Sequence, residues 1–221
     1  MHVVVNAAMS ADGKLSTVER RQVRISGTQD FDRVDQLRAE VDAVMVGIGT
    51  VLADDPQLTV KSPTLTRERE ANGQPPHPAR VVADSMGRIP VDAAMLDNTA
   101  TTHLLVAEHA PDERVTTLQE FGTIDRVGVD QVDVEAGLEA LGKRGIDSIL
   151  VEGGGELIFS LLSDDLVDRL SVYIGNQIIG GRDAPTLADG SGFTAPTDFV
   201  DLQLEDVSRL DDGVLLDWQV S

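Results

Sequence analysis

Val151-Glu152-Gly153-Gly154-Gly155-Glu156 follows directly on the apolar residues 146–150, and this stretch decides the fold. An extended, β-branched segment that ends in three glycines and then becomes helical exposes backbone N–H groups at the N-terminus of the helix. Those N–H groups and the helix dipole attract phosphate, and glycine lets a ligand approach the main chain closely. A glycine triplet is also a common turn from strand to helix, so phosphate binding and a plain turn are alternatives at this point.

The composition indicates a globular protein with an extreme acidic charge. A chain of 221 residues, 41% of them hydrophobic, suffices for one large α/β domain. It has 38 acidic and 18 basic residues, a net charge of −20, and only three lysines. Such a field repels nucleic acid and anionic membranes. Lysine depletion with an excess of aspartate favours adaptation to a salt-rich cytoplasm, where a screening length of about 3 Å at 1 M salt removes self-repulsion; an ordinary acidic protein is the alternative.

Nothing in the sequence indicates a membrane span, a signal peptide or a metal site. The chain has no apolar run of about 18 residues, and its first residues lead straight into a strand-like pattern. The absence of cysteine excludes disulfides, thiolate nucleophiles and cysteine-ligated zinc. His2, His77, His103 and His109 are scattered without ligand spacing. We therefore expect a cytoplasmic protein without a bound metal.

Strand-like and helix-like runs alternate along the chain. The predicted strands are residues 2–9, 43–46, 80–84, 103–107, 126–129, 148–151, 169–177, 202–207 and 214–219, and the predicted helices are residues 30–41, 49–53, 112–119, 134–143 and 156–162. The alternation over residues 43–162 implies parallel βα units. After residue 166 the pattern favours strands with turns, notably a hairpin at Asp211-Asp212-Gly213. We predict a single α/β domain over residues 1–221, with a mixed sheet that is antiparallel at its C-terminal edge, and a mobile loop at the proline-rich residues 62–78.

Two further turns at strand ends suit phosphate groups. Gly47-Ile48-Gly49-Thr50 follows a buried strand, and Thr50 offers a hydroxyl in the first helical turn, although a simple helix cap is the alternative. Ser85 and Arg88 follow the next strand and suit the 2′-phosphate that separates NADP from NAD; an ordinary surface arginine is the alternative. The third glycine of a Rossmann fingerprint and a Gly-Lys-Ser/Thr sequence are both missing. Ligand-suited turns at the carboxyl ends of parallel strands nevertheless predict a dinucleotide site.

Eight segments, in order along nearly the whole chain, resemble the riboflavin-biosynthesis pyrimidine reductases in their stand-alone archaeal and fungal form. They are residues 6–14, 24–26, 37–39, 46–59, 81–90, 150–156, 166–168 and 180–185, and the most specific are Gly-x-Gly-Thr-x-x-x-Asp-Asp-Pro and Glu-Gly-Gly-Gly. The resemblance implies a dihydrofolate-reductase-like, three-layer α/β/α fold with a mixed, mostly parallel central sheet. It also implies NADPH-dependent reduction, with NADH possible, of 2,5-diamino-6-ribosylamino-4(3H)-pyrimidinone 5′-phosphate. Hydride then goes to ribose C1 in the ring-opened imine form.

The resemblance also implies roles for individual residues. Cofactor contacts are implied for Gly47, Thr50, Asp54, Ser85, Arg88, Gly153, Gly154, Gly155 and Glu156. Substrate contacts are implied for Ser10, Arg38, Leu58 and Lys61, of which Arg38 and Lys61 suit the 5′-phosphate. Glu152 matches an acid that contacts the diaminopyrimidine, and Asn6 stands where bacterial bifunctional members usually carry lysine. Glu152 and Asn6 are the candidate catalytic residues, and the proton donor stays unassigned.

Two other functions compete with this interpretation. A pterin or dihydrofolate reductase would share the fold and cofactor, but the phosphate-suited pair Arg38 and Lys61 argues against it. A non-catalytic nucleotide-binding protein would not need the carboxylate of Glu152. The expected partners are the small phosphorylated ribosylaminopyrimidine and, as the resemblance implies, a second copy in a homodimer. We expect residues 170–174 and the turn around Gly180 to lie near the subunit contact.

Overall fold

The computed structural model describes residues 1–21 and 23–221, which form two compact units. The first unit contains Met1 and Val34–Leu150, and the second contains His2–Arg33 and Val151–Ser221. The single domain expected over residues 1–221 stays a prediction.

Strands and helices alternate along the chain up to residue 174. The strands are β1 (His2–Met9), β2 (Ala43–Gly47), β3 (Ala79–Ala83), β4 (Thr102–Val106), β5 (Thr123–Arg126), β6 (Ser148–Val151), β7 (Arg169–Ile174), β8 (Leu202–Leu210) and β9 (Gly213–Val220). The helices are α1 (Thr28–Glu40), α2 (Ile48–Asp54), α3 (Pro63–Ala71), α4 (Asp112–Leu118), α5 (Val134–Gly142) and α6 (Gly155–Ser163), with short 3-10 helices at Ala94–Leu96 and Pro196–Asp198.

The first unit is built on strands in the order β5-β4-β3-β2-β6. β2 pairs with β3, β3 with β4, and β4 with β5, always in parallel. Every residue of β2 and β4 is buried, as expected for parallel strands that are covered on both faces. Gly47 at the end of β2 pairs with Ala83 at the end of β3. The two predicted phosphate turns of this unit therefore begin side by side.

The second unit has the strand order β1-β7-β9-β8. β1 and β7 are parallel, whereas β7–β9 and β8–β9 are antiparallel. Leu210 pairs with Gly213 across a two-residue turn, in which Asp211 has a φ of 48°. The predicted mixed sheet with an antiparallel C-terminal edge, and the predicted hairpin, are confirmed.

The expectation of a mobile loop at residues 62–78 is wrong, because α3 occupies Pro63–Ala71. Pro63 suits the first turn of a helix, where a missing N–H costs nothing. Arg69 is only 3% exposed; its Nε donates to the carbonyl of Pro75 (2.9 Å) and its Nη1 to those of Ala39 (2.7 Å) and Val41 (2.9 Å). The sequence did not indicate this helix, because prolines and alternating charges are typical of a loop and because the one buried side chain of the helix is an arginine.

Two strands differ in extent from the prediction. β5 lies at Thr123–Arg126 and not at residues 126–129, because it pairs with His103–Val106. Gly128 follows with a φ of 79°, which is incompatible with an extended strand. β7 ends at Ile174, three residues earlier than predicted.

The subunit contact expected near residues 170–174 and the turn around Gly180 stays a prediction, although β7 itself is almost fully enclosed within the chain. β7 pairs with β1 along one edge and with β9 along the other. Leu170, Ser171, Val172 and Tyr173 are each at most 4% exposed. A strand that is paired at both edges and buried on both faces leaves almost no side chain for a second subunit.

Two kinds of feature are absent from the part of the chain that the structure describes. No helix in residues 1–21 and 23–221 has the length and apolar character needed to cross a bilayer. Across the same residues, no group of three or more His, Cys, Asp or Glu side chains is placed to hold a metal ion.

Candidate active site

The glycine turn before α6 forms the helix N-terminus that the sequence predicts. Gly154 is the N-cap with a φ of 95°, a conformation that other residues rarely adopt, and it offers no side chain to cap the helix. Gly155 begins the helix in a crowded place, since an added Cβ would lie 2.7 Å from Asp189 Oδ2 and 2.8 Å from the carbonyl oxygen of Thr186. The turn therefore needs glycine at both positions.

Asp189 fixes the chain that packs against this turn. Its Oδ1 accepts from the N–H of Thr186 (3.1 Å) and from the Thr186 hydroxyl (2.6 Å), while its own N–H donates to the carbonyl of Gly155 (3.1 Å). Glu152, the candidate acid of the second unit, is half-buried two residues before Gly154. The shape of the turn is thus set by a segment more than 30 residues away in sequence.

Asn6 belongs to a buried polar cluster of the second unit. It lies in β1, is 7% exposed and pairs with Ser171 of β7. Arg33 of α1 donates to both, from Nη2 to Asn6 Oδ1 (2.6 Å) and from Nη1 to Ser171 Oγ (3.1 Å). Asp30 accepts the Arg33 Nε–H at 2.9 Å, and Asp211 in turn accepts the main-chain N–H of Asp30 at 3.1 Å.

Ser10 is held inside its own turn. The side chain is fully buried; its hydroxyl donates to Asp12 Oδ1 (2.6 Å) and accepts from the N–H of Lys14 (2.9 Å). Asp12 also accepts from the N–H groups of Ile179 (3.1 Å) and Gly180 (2.7 Å). These hydrogen bonds, above all that of Ser10, lower the pKa of Asp12 to about 2. The Ser10 hydroxyl thus shapes this turn, and the substrate contact expected of Ser10 stays a prediction.

In the first unit, α2 begins directly after β2. Gly47 is its N-cap and makes no side-chain hydrogen bond. Thr50 is half-buried in the first turn, and Asp54 is the last residue of the helix. Residues four apart share a helix face, so both side chains lie on one side of α2. Burial raises the pKa of the Asp54 carboxyl.

A buried carboxylate holds the turn after β3. Asp84 is 0% exposed, and its Oδ2 accepts from the N–H of Ile89 at 2.8 Å. Its Oδ1 lies 3.7 Å from Arg88 Nε, and the Arg88 side chain is 58% exposed. The Ser85 hydroxyl oxygen accepts from the N–H of Val132 at 3.1 Å. Ser85 and Arg88 thus extend from a fixed turn beside the start of α2.

The predicted substrate residues of the first unit converge on one segment. Arg38 donates from Nη1 to the carbonyl of Thr59 at 3.1 Å. Asp35, one helical turn earlier, accepts from the N–H of Lys61 at 2.6 Å. Leu58 has a φ of 52° and is 2% exposed. Its side chain packs in the core, and the substrate contact expected of Leu58 stays a prediction.

Residues 1–216 match the family model of the RibD C-terminal domain. The chain is 45% identical over 212 residues to a 2,5-diamino-6-ribosylamino-4(3H)-pyrimidinone 5′-phosphate reductase from Archaeoglobus fulgidus, covering 96% of this chain and 94% of that protein. A protein of the same name from Methanothermobacter thermautotrophicus is 42% identical over 219 residues, covering 99% and 98%. The chain belongs to the RibD C-terminal domain family.

A solved structure shares the architecture of this chain. A pyrimidine reductase-like protein from Corynebacterium diphtheriae superposes with a TM-score of 0.87 over 100% of this chain and 92% of that one. Because their sequences are only 20% identical, this similarity concerns the fold alone. The family and the dihydrofolate-reductase-like α/β fold that the sequence suggested are both confirmed.

Sequence reasoning missed the side chains that hold the candidate residues of this RibD C-terminal domain in place. They are Arg33, Asp35, Asp84 and Asp189. One signal was present, since Asp30 and Arg33 stand three residues apart in a predicted helix, the spacing of an ion pair. The three aspartates bond mainly to main-chain N–H groups, which every sequence offers, so no local pattern marks them.

Proposed function

We propose that this chain reduces 2,5-diamino-6-ribosylamino-4(3H)-pyrimidinone 5′-phosphate to its ribitylamino product with NADPH, as a step of riboflavin biosynthesis. The observation that carries the proposal is the end-to-end similarity to two archaeal proteins whose names state this activity, at 45% and 42% identity. Hydride is added to ribose C1 of the ring-opened imine. These residues do not themselves carry out deamination, because a sequence without cysteine cannot form the His/Cys zinc site of a base deaminase.

The residues present fit a dinucleotide with several phosphates. α6 begins at a glycine turn with no capping side chain, which suits a pyrophosphate on its N–H groups; we assign Gly153, Gly154, Gly155 and Glu156 to that role. Gly47, Thr50 and Asp54 contribute from α2. When bound, NADPH supplies the hydride, and the protein supplies binding and orientation.

The preference for NADPH over NADH is assigned to Ser85 and Arg88. The exposed guanidinium of Arg88 lies on a turn that Asp84 holds through a hydrogen bond to the N–H of Ile89. An arginine offers paired donors to a phosphate. A 2′-phosphate therefore gains a charge-assisted contact that the 2′-hydroxyl of NADH does not.

The substrate is assigned to four side chains, those of Arg38, Lys61, Glu152 and Asn6. Arg38 and Lys61 bind the 5′-phosphate. Arg38 donates to the carbonyl of Thr59 and the main-chain N–H of Lys61 donates to Asp35, so both residues lie on segments that hydrogen bonds hold together. Glu152 accepts hydrogen bonds from the amino groups of the diaminopyrimidine, for which a carboxylate offers two acceptor oxygens. Asn6 donates to the same ligand from its side-chain amide.

A spectrophotometric assay tests the proposal. The purified chain, in molar potassium chloride, is mixed with NADPH and the ribosylamino substrate, and the absorbance of NADPH is followed. We expect the absorbance to fall only when enzyme and both reactants are present. Oxidation of NADPH by dihydrofolate in place of this substrate would support a pterin reductase, and NADPH binding without turnover of either would support a nucleotide-binding protein; both results would refute the proposal.

We further propose that two copies associate through one face of β8 and β9. Cross-strand pairing puts Leu202, Leu204 and Val207 on the same face as Trp218 and Leu216. The first three side chains are 43%, 53% and 55% exposed. A contiguous exposed apolar face marks an interaction site, and the same face on a second copy meets it in an isologous contact.

Light scattering in molar salt tests this contact. We expect twice the chain mass of 23.7 kDa, and we expect Leu204→Glu to give a monomer. Gln203→Glu, on the opposite face of β8, is the matched control and should stay dimeric. A wild-type monomer, or a dimeric Leu204→Glu variant, would contradict the proposed surface.

A further inference from the structure

The buried cluster around Arg33 has a fixed direction of hydrogen bonding. Arg33 presents its guanidinium to Asn6, Ser171 and Asp30 at once, over distances of 2.6 to 3.1 Å. Its side chain is 19% exposed, and that of Asp30 is 4% exposed. The Asp30 carboxylate neutralises the guanidinium, so the cluster can exist away from water without an unpaired charge.

The arginine determines which way the Asn6 amide faces. A guanidinium can only donate hydrogen bonds, so the atom 2.6 Å from Arg33 Nη2 must be the amide oxygen of Asn6. The opposite orientation would set two N–H donors against each other. The amide NH2 group of Asn6 therefore points away from Arg33 and presents two donors.

A hydrogen bond from a cation also polarises the amide. The charge on Arg33 draws electron density toward Asn6 Oδ1 and strengthens the N–H groups as donors, as happens in chains of hydrogen bonds at low dielectric. Ser171 and Asp30 restrain the guanidinium from the other sides, and Asp211 restrains Asp30 through its main-chain N–H. Asn6 is thus held by contacts that originate in α1, β7 and the β8–β9 turn.

We propose that Arg33 is a positioning residue that orients and polarises the Asn6 amide for donation to an acceptor oxygen of the substrate. This inference rests on the proposed function, because it gives Asn6 a ligand. Arg33 acts through Asn6 and makes no contact of its own with the reacting atoms. The sequence region that resembles known reductases includes Asn6 but not Arg33.

Two substitutions separate positioning from stability. Asn6→Asp keeps an acceptor for Arg33, so the cluster stays intact, but it removes both N–H donors. We expect this variant to melt at or above the wild-type temperature, with kcat lowered about 100-fold and an unchanged KM for NADPH. Arg33→Lys removes the planar fork, which a single ammonium cannot replace, and should lower kcat about tenfold or more.

Exposed residues in α3 and at its C-cap provide the matched controls. Asn72→Asp repeats the first chemical change, and Arg67→Lys repeats the second, at exposed positions; both should leave kcat and KM unaltered. If the wild type does not oxidise NADPH with the substrate, the proposed function and this inference both fall. If the wild type is active while Asn6→Asp keeps its kcat, or a folded Arg33→Lys keeps its kcat, only the positioning role is overturned. If Arg33→Lys does not fold, Asn6→Asp decides alone.

Discussion

Substitution of Asp35 by asparagine should weaken both the fold and substrate binding. The two carboxylate oxygens each accept one main-chain N–H, from Lys61 at 2.6 Å and from Ser62 at 2.7 Å. Asparagine in the same rotamer keeps one acceptor and turns an NH2 group toward the other N–H. Losing one charge-assisted hydrogen bond at a buried site costs about 1.5–3 kcal/mol. Because the remaining bond also becomes neutral, we expect the upper end, about 3 kcal/mol.

Thermal melts followed by circular dichroism measure this loss. In a chain of this size 1 kcal/mol shifts the melting temperature by about 2–4 °C, so Asp35→Asn should melt about 6–12 °C lower. Its KM for the substrate should rise, since Lys61 loses its anchor, while the KM for NADPH should not. Asp32→Asn, an exposed aspartate on the same helix, is the control and should match the wild type. A melting temperature for Asp35→Asn within about 2 °C of the wild type would refute the argument.

Three further outcomes follow from the structure. The pKa of Asp12 is about 2 in the folded chain, against an ordinary value of 3.8; its bonds therefore stabilise the fold above about pH 4, and this contribution disappears as the pH falls toward 2. In urea titrations Asp12→Asn should be less stable than the wild type at neutral pH and converge with it near pH 2; a constant difference would contradict this. Gly155→Ala puts a Cβ 2.7 Å from Asp189 Oδ2 and should cost about 1–3 kcal/mol, whereas Gly49→Ala meets nothing within 4 Å and should gain about 0.5–1 kcal/mol; equal melting temperatures would disprove the crowding. Arg88→Ala should raise the KM for NADPH about 10- to 100-fold and spare NADH, and an equal loss with both cofactors would remove Arg88 from the 2′-phosphate.

The sequence was a good guide to the strands and a poor guide to one helix. β2 is a buried run of apolar residues and β4 ends in one, and such runs are typical of parallel strands that are covered on both faces. α3 has no apolar face to detect, since its buried residue is Arg69, whose bonds go to carbonyls at residues 39, 41 and 75. Because this helix is held by hydrogen bonds from an arginine to main-chain oxygens, its sequence does not show the helical periodicity of apolar residues.

The candidate site likewise contains one feature that the sequence predicted and others that it could not predict. The turn at Gly154 could be predicted from the sequence. Its φ of 95° favours glycine, so the glycine itself indicates the backbone conformation. The surroundings of Leu58 and Ser10 could not be predicted, because nothing in the local sequence shows that the Leu58 side chain is buried and that the Ser10 hydroxyl is already bonded. Their surroundings are supplied by distant segments, and only the folded chain brings these together.

The carboxylates that order the candidate site are buried, and salt does not weaken their hydrogen bonds to main-chain N–H groups. Exposed pairs such as Lys143 with Glu139, at 3.8 Å, contribute little and are screened when the Debye length shrinks to about 3 Å at 1 M salt. Asp35 and Asp84 are instead buried and bond main-chain N–H groups at 2.6–2.8 Å, where no salt ion intervenes. Short buried bonds thus order the segments that we propose to bind substrate and cofactor. The surface carboxylates of this chain, whose net charge is −20, are by contrast open to screening by salt. For this reason the destabilisation caused by Asp35→Asn should be equally large at low and high potassium chloride.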